Sequence, residues 1–437
     1  MQSRGLYIAV AVLIILGGTL YWSNHRKPSD DSSKASADTP PTILKLDQSS
    51  IDKLELKKKD APALVLAKGS SGDWQITDPK PLRADQSAVS GMLADVSSLN
   101  SERLVDDKAS NLAPFGLDQP ALELDISHKD NKSQRLLIGN NTPTGSVYAA
   151  LANDPRVFTI ASYTKTSLDK SLNDLRDKRL LPVSADKVSQ IELIRKGEDI
   201  EFGRNKDAWQ ILKPQPYRAD GTQVSDLLNK LTDAKMDLAG SDAGDASSAF
   251  AKSSPVATAK LTDESGTQEL QVRKSKDTYY AKSSAVNGAY KVTSDLGKAL
   301  AKNVDDFRNK KLFDFGYSDP NRIELHSGSK SYFLTRGTGG YDDWWSNGKK
   351  MDSNADTVVS DIRDLSASKF VDSGFSNPTI DLAVTSDDGK RIEKVAIAKS
   401  GDHYVAKRDN DPSLYQIDAS PVDDLLKAAD ALKPAAK

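Results

Sequence analysis

The sequence contains no cysteine. That excludes disulfides, thiol catalysis, thiolate-ligated zinc and an acylated cysteine. It also suits an oxidising compartment, where a stray thiol is a liability. Histidine is scarce: His25, His128, His326 and His403 are the only four. None stands three or four residues from another, as a helical metal site requires, so no metal site and no cofactor are expected. No Gly-x-Ser-x-Gly elbow frames a serine, and no Gly-Lys-Ser/Thr phosphate loop occurs. No catalytic residue is therefore assigned. Charge of one sign is also missing. Lys and Arg number 60 against 62 Asp and Glu, a formal net charge of −2. This excludes the basic face of a nucleic-acid binder.

One long apolar run exists, at the start. Gly5 to Trp22 (GLYIAVAVLIILGGTLYW) is 18 residues without a charge. As a helix it measures about 27 Å, close to a bilayer's hydrocarbon core. Tyr7 lies at one end, Tyr21 and Trp22 at the other, the depths that amphipathic rings favour. A cleaved signal peptide is the competing reading, but GTLYWSNH offers a poor cleavage site. The expectation is an uncleaved anchor over 1–27. Arg4 before the span and Arg26 with Lys27 after it leave orientation nearly tied by charge. The four-residue head and the Cys-free body favour a cytoplasmic N-terminus and an exported body. Residues 28–42, PSDDSSKASADTPPT, read as a polar tether.

The remaining chain repeats itself. Arg83-Ala84-Asp85 recurs 135 positions later as Arg218-Ala219-Asp220. IDKLEL from Ile51 is echoed by IELI from Ile191 and IELH from Ile323. Trp74 matches Trp209, with Trp344 or Trp345 as the third equivalent. Asp352 follows as the third aspartate, and Lys350 replaces the arginine. Phe115 with Pro120 recurs as Phe250 with Pro255 and as Phe375 with Pro378. Tyr148, Tyr280 and Tyr404 each precede a small-residue strand. Such periodicity marks a tandem array. Three copies are expected, at 43–182, 183–315 and 316–437.

Within a copy, short alternating runs predict strands. A helix follows each aspartate: Val89, Met92, Leu93, Val96 and Leu99 fall at helical steps, as do Val224, Leu227, Leu228 and Leu231, and then Val358, Val359, Ile362 and Leu365. Asp85 and Asp220 are placed to cap these helices. Strands and helices do not alternate strictly. The fold class is therefore α+β, each copy a mainly antiparallel sheet with two helices, the array preceded by one transmembrane helix.

LRDKRLL (175–181) recurs as FRNKKLF (307–313), each time where one copy passes to the next. This box is expected to be the joint, with Leu180 or Leu312 docked on the following copy and its cations solvated. An ordinary amphipathic helix end is the alternative. Arg83, Arg218 and Lys350 are candidate ligand or partner contacts, or else neighbours of a cap that pair locally. RGTGGYDDWWSNG (336–348) is the most unusual stretch. Gly337, Gly339 and Gly340 offer an anion cradle, and Trp344 and Trp345 offer rings for a sugar; a hairpin with one core tryptophan is the competing reading.

The order of I-x-x-L-x-L (Ile51, Leu54, Leu56), W-x-I (Trp74 to Ile76), P-x-R-A-D (Pro81 to Asp85), F-G-L-x-x-P (Phe115 to Pro120) and a late Tyr148-Ala149 resembles the bacterial domain of unknown function 4340 repeat family. Copy three departs from it, lacking P-x-R-A-D proper and F-G-L. Members of the family often lie beside genes of gliding-motility-type ABC transport systems. The resemblance therefore implies an envelope protein associated with a transporter; with the apolar span and the missing catalytic motifs, the expectation is a non-enzymatic, membrane-anchored protein of the inner membrane with its body in the periplasm. Its expected partners are transporter subunits or other envelope proteins, and its expected role is a scaffold or accessory one. A periplasmic glycan-binding protein is the alternative, and an envelope hydrolase a third reading.

Overall fold

The computed structural model describes residues 41–435, apart from 131, 207, 239–245, 317–319 and 338–342. The apolar run 5–22 and the tether up to residue 40 lie outside the described residues. Among the described residues no helix is long and apolar enough to cross a membrane. The chain divides into two compact units, Met1–Asp177 and Lys178–Lys437. The first holds copy one; the second holds copies two and three.

Copy one begins with an antiparallel hairpin, β1 (Ile51–Lys58) and β2 (Ala61–Lys68), followed by β3 (Trp74–Asp78) and the short β4 (Leu82–Arg83). The chain then enters α1 (Gln86–Ser97), capped by Asp85, whose carboxylate accepts from the backbone of Ser87 and Ala88. Val89, Met92, Leu93 and Val96 bury their side chains on one stripe, as the spacing predicts. After β5 (Arg103–Asp106) come β6 (Leu122–His128), β7 (Ser133–Asn141), β8 (Val147–Leu151) and β9 (Val157–Ile160). The expected second helix is two pieces, α2 (Ser162–Leu168) and α3 (Leu172–Leu175). The sheet order is β4-β3-β2-β1-β6-β7-β8-β9-β5, all neighbours antiparallel. Leu54, Leu56, Leu66, Ile76 and Ile126 face the helices. On the opposite face Lys57 reaches Asp125 at 2.7 Å and Arg135 the same carboxylate at 2.5 Å. Over β1, β3 and β6 that face is solvated, which is why these strands alternate, whereas over β7–β9 a second small core of Leu117, Leu137, Ala150 and Val157 covers it.

The second unit repeats this plan twice. Copy two has β10 (Gln190–Arg195), β11 (Glu198–Asn205), β12 (Ala208–Lys213), β13 (Tyr217–Arg218), α4 (Gly221–Thr232), α5 (Ser247–Lys252), β14 (Ser254–Asp263), β15 (Gly266–Ser275), β16 (Thr278–Ser283), β17 (Ala289–Val292) and α6 (Ser294–Leu300). Copy three has β18 (Arg322–Ser327), β19 (Lys330–Arg336), β20 (Trp344–Ser346), β21 (Lys349–Lys350), α7 (Asn354–Asp364), β22 (Lys369–Val371), β23 (Ile380–Ser386), β24 (Arg391–Ser400), β25 (His403–Arg408), β26 (Leu414–Asp418) and α8 (Ala419–Asp430). Their sheets run β13-β12-β11-β10-β14-β15-β16-β17 and β21-β20-β19-β18-β23-β24-β25-β26-β22. The architecture is thus α+β, three antiparallel sheets with eight α-helices among the described residues. Copy three carries the two helices expected of each copy; copies one and two carry a third, short one.

Strand register corrects two sequence alignments. The inward residue of the first strand that matches Ile191 and Ile323 is Leu54 in copy one, because Leu54 pairs with Leu66 as Ile191 pairs with Phe202 and Ile323 with Leu334. Ile51 lies beyond a bulge at Asp52 and pairs with His128. Likewise Tyr404 corresponds to Tyr279 rather than Tyr280, since Ala281 faces Val272 as Ala406 faces Ile397. Both tyrosines are buried toward helices: Tyr279 lies across Gly297, and Tyr404 donates to Asp423 at 2.7 Å. Only a residue without a Cβ leaves room for the Tyr279 ring there.

Candidate functional site

The repeated triplet and the recurring box are one device. In copy one Ala84 pairs with Arg176, Asp85 N–H donates to Leu175 C=O and Asp177 N–H donates to Arg83 C=O. In copy two Ala219 pairs with Arg308, Asp220 donates to Phe307 and Asn309 to Arg218. Copy three has no such box in its sequence, yet its C-terminal strand of chain does the same: Met351 pairs with Pro434, Asp352 donates to Lys433, and Ala435 to Lys350. Backbone bonds need no particular side chains, so the third strap is invisible to a motif search.

The box has a second half. Arg179 pairs with Lys235, and Lys311 with Ser366, just beyond the first helix of copies two and three. The same bridge in copy one is Thr42 with Asn100, so the last two residues of the expected tether belong to the folded body. Behind it, Ile43 and Leu44 enter the core of copy one, Leu180 and Leu181 that of copy two, and Leu312 and Phe313 that of copy three. The expected docking of Leu180 and Leu312 is therefore observed, with both side chains fully buried. The expected solvation of the cations holds for Arg179, Lys310 and Lys311, which are exposed, but not for Arg308. Arg308 is 9% exposed, its guanidinium 3.9 Å from the Tyr217 ring centre and 3.5 Å from that of Phe370, with Asp305 at 2.8 Å. A guanidinium is flat and weakly hydrated, so it stacks where an ammonium would stay in water.

The candidate residues fare differently. Arg83 lies 3.8 Å from Asp177. Arg218 donates to Lys311 C=O at 2.8 Å, to the Tyr415 hydroxyl at 3.3 Å and to the Asp314 carboxylate. It thereby ties copy two to copy three. Tyr415 in turn donates to Asp411 at 2.6 Å, and Asp411 also accepts from Ser413 N–H. Burial pulls the Arg218 pKa down, but the Asp314 carboxylate and Tyr415 outweigh it, leaving it above the ordinary value. Burial and the hydrogen bond to Asp411 push Tyr415 up to about 12. Burial raises Asp411, while the bonds from Tyr415 and Ser413 outweigh it and hold the carboxyl below its usual range. A cleft of about 470 Å³ opens beside this network, lined by Trp209, Leu212, Tyr217 and Arg218 of copy two and by Asn410 and Asp411 of copy three.

Lys350 sits at the register position of Arg218, opposite Trp345 as Arg218 is opposite Gln210, and pairs with Asp343 at 2.7 Å. Trp344 is the core tryptophan, 3% exposed, equivalent to Trp74 and Trp209. Each of the three has a cation over its ring from the neighbouring strand: Lys68 at 5.3 Å, Arg204 at 5.6 Å and Arg336 at 5.3 Å. Trp345 points the other way, 37% exposed, its ring lying across Gly337. Of the proposed anion cradle, Gly337 donates its N–H to Asp343 C=O at 2.9 Å, and Gly339 and Gly340 lie outside the described residues. The histidines His128, His326 and His403 pair singly with Ser50, Ser331 and Asp402. Among the described residues no group of three potential ligands is placed to hold a metal ion.

The family model described as Domain of unknown function (DUF4340) matches residues 74–237 and again residues 209–383. The chain belongs to that family. Both matches begin on the equivalent tryptophans, Trp74 and Trp209, and each runs on past the next Arg-Ala-Asp position or its lysine counterpart. The family unit therefore includes the strap that joins one copy to the next. No curated protein matches the sequence.

Tyr415, Asp411, Asp314, Phe370 and Tyr217 escaped sequence reasoning. Their only local signal is a carboxylate four residues before a tyrosine on one hairpin. The contacts with Arg218 and Arg308 come from distant chain, so nothing in spacing reveals them.

Proposed function

We propose that this protein is a non-enzymatic, membrane-anchored repeat protein of the cell envelope, acting as a scaffold or accessory component of an ABC-type transport system. The observation that carries the reading is the strap. Arg-Ala-Asp and the boxes, the most conspicuous repeats in the sequence, are spent on capping helices and joining copies rather than on facing a reactant. The uncharged run 5–22 and the Cys-free body support a single pass through the inner membrane with the body on the periplasmic side. The transporter association draws on the gene neighbourhood typical of the family. Affinity capture from detergent-solubilised membranes, beside a topology reporter fused after Lys437, tests it. Transporter subunits co-purifying and an extracytoplasmic reporter are expected. Turnover of esters, peptides or glycosides by the purified body, abolished by one Ser or Glu substitution, contradicts it.

A second reading, glycan binding, keeps the exposed Trp345 as its sole stacking ring from the pair, since Trp344 is spent on the core. Retention on immobilised envelope glycan, lost in Trp345→Ala, is its test.

A further inference from the structure

Copy three receives copy two through a defined chemistry. Arg218 and Arg308 of copy two enter a setting made of the Tyr415 hydroxyl and the Phe370 ring of copy three and of the Asp314 carboxylate, which the second half of the strap holds on copy three through Asp314 N–H to Glu393. The strand register shows what copy three offers at its own equivalent end. Lys350 stands where Arg218 stands, and Lys349 where Tyr217 stands, because Ser346 pairs with Lys349 as Ile211 pairs with Tyr217. Lys433 stands where Phe307 stands, its carbonyl accepting from the Asp352 N–H. All three lysines are exposed, and Trp345 lies beside them, partly exposed. Asp343 offsets one of the three charges. This end is therefore cationic and carries an aromatic ring, like the end of copy two that is already docked.

We propose that this end of copy three, with Lys349, Lys350, Lys433 and Trp345, is a docking face for a protein partner presenting carboxylates, the same pairing by which copy three takes up copy two. The proposal deepens the scaffold reading and rests on it. A second copy of the chain, joined head to tail, is disfavoured by charge. The strap bridges align Lys311 with Thr42, so the residue of copy one at the place of Asp314 is Lys45, and it would meet Lys350 as a like charge. Exposed lysines keep their hydration until a partner desolvates them, so such a face governs encounter and specificity.

The test places a photo-crosslinking residue at position 349 of the full chain in its native membrane, with position 53 on the outer face of copy one as control. One discrete protein adduct from position 349 is expected, its crosslinked peptide rich in Asp or Glu. The combined Lys350→Glu and Lys433→Glu variant should lower the yield at least ~5-fold, the scale of losing opposed charge pairs at an interface, with the melting temperature unchanged. Equal adducts from positions 349 and 53, or a yield indifferent to charge reversal, would overturn the proposal. Retention on vesicles containing anionic phospholipid through the same lysines, with no protein adduct, would also overturn it and assign the face to a membrane surface. If affinity capture of the wild-type chain retains no partner, the scaffold reading fails together with the docking face. If it retains a partner that position 349 does not reach, only the docking face fails.

Discussion

At the scale of single residues, side-chain type and surroundings together decide what a charge does. Arg308 is buried between two rings, while Lys350, placed by the same register that places Arg218, stays in water. Tyr415 is the pivot of the clasp, accepting from Arg218 and donating to Asp411. Tyr415→Phe leaves a buried carboxylate with one donor fewer, and a loss of about 1–3 kcal/mol is expected in urea unfolding. Asp361 has the opposite sign. Burial and the nearby carboxylates of Asp424 and Asp364 raise its pKa. The native state thus binds that proton more tightly than the unfolded chain, and stability falls as pH rises through the carboxylate range. Asp361→Asn should raise the melting temperature at pH 7, and the gain should vanish below about pH 4, where the wild-type side chain is itself protonated. A gain that persists in acid would show that charge is not its origin.

At the scale of elements, the aspartate of the triplet is a cap. Asp85 accepts from two backbone N–H groups of α1 and Asp220 from two of α4. Asp352 accepts from one backbone N–H, that of Asn354, and from the Asn354 side-chain amide. Asp85→Ala and Asp220→Ala should each cost about 1 kcal/mol, and Asp352→Ala less, measured by chemical denaturation. The strap leucines carry more. Leu312→Ala should cost about 2–5 kcal/mol, since the side chain is fully buried within the core of copy three. An exposed joint would lose almost nothing. Much of this level was legible in the sequence. The helices over Val89–Leu99 and Val224–Leu231 follow from apolar spacing, and Trp74, Trp209 and Trp344 follow from the repeated strand. What escaped did so for physical reasons. The bulge that shifts Ile51 out of register is one residue long and leaves the apolar pattern intact. The C-terminal strap at Lys433–Ala435 uses backbone groups alone. β5 and β22 are held at their sheet edges by pairing with β9 and β26, distant in sequence.

At the scale of the whole molecule, the repeated unit is intelligible as a piece of an array. Each copy builds its own core, and each of the two boxes spends its first half on the copy it leaves and its second on the copy it enters. Stability in such arrays is the sum of unit and neighbour terms. The candidate site, Arg218 with Asp314, Tyr415 and Asp411, is such a neighbour term between copies two and three. Arginine was singled out in sequence; its partners were not, because tertiary contacts alone bring them to it. The measurement that tests this account most directly is scanning calorimetry of the full chain against the Arg218→Met, Arg308→Met double variant. If the strap couples copies two and three, they melt in one transition in the wild type and separate into two in the variant. A variant that melts as the wild type does, with the same number of transitions at the same temperatures, would contradict it.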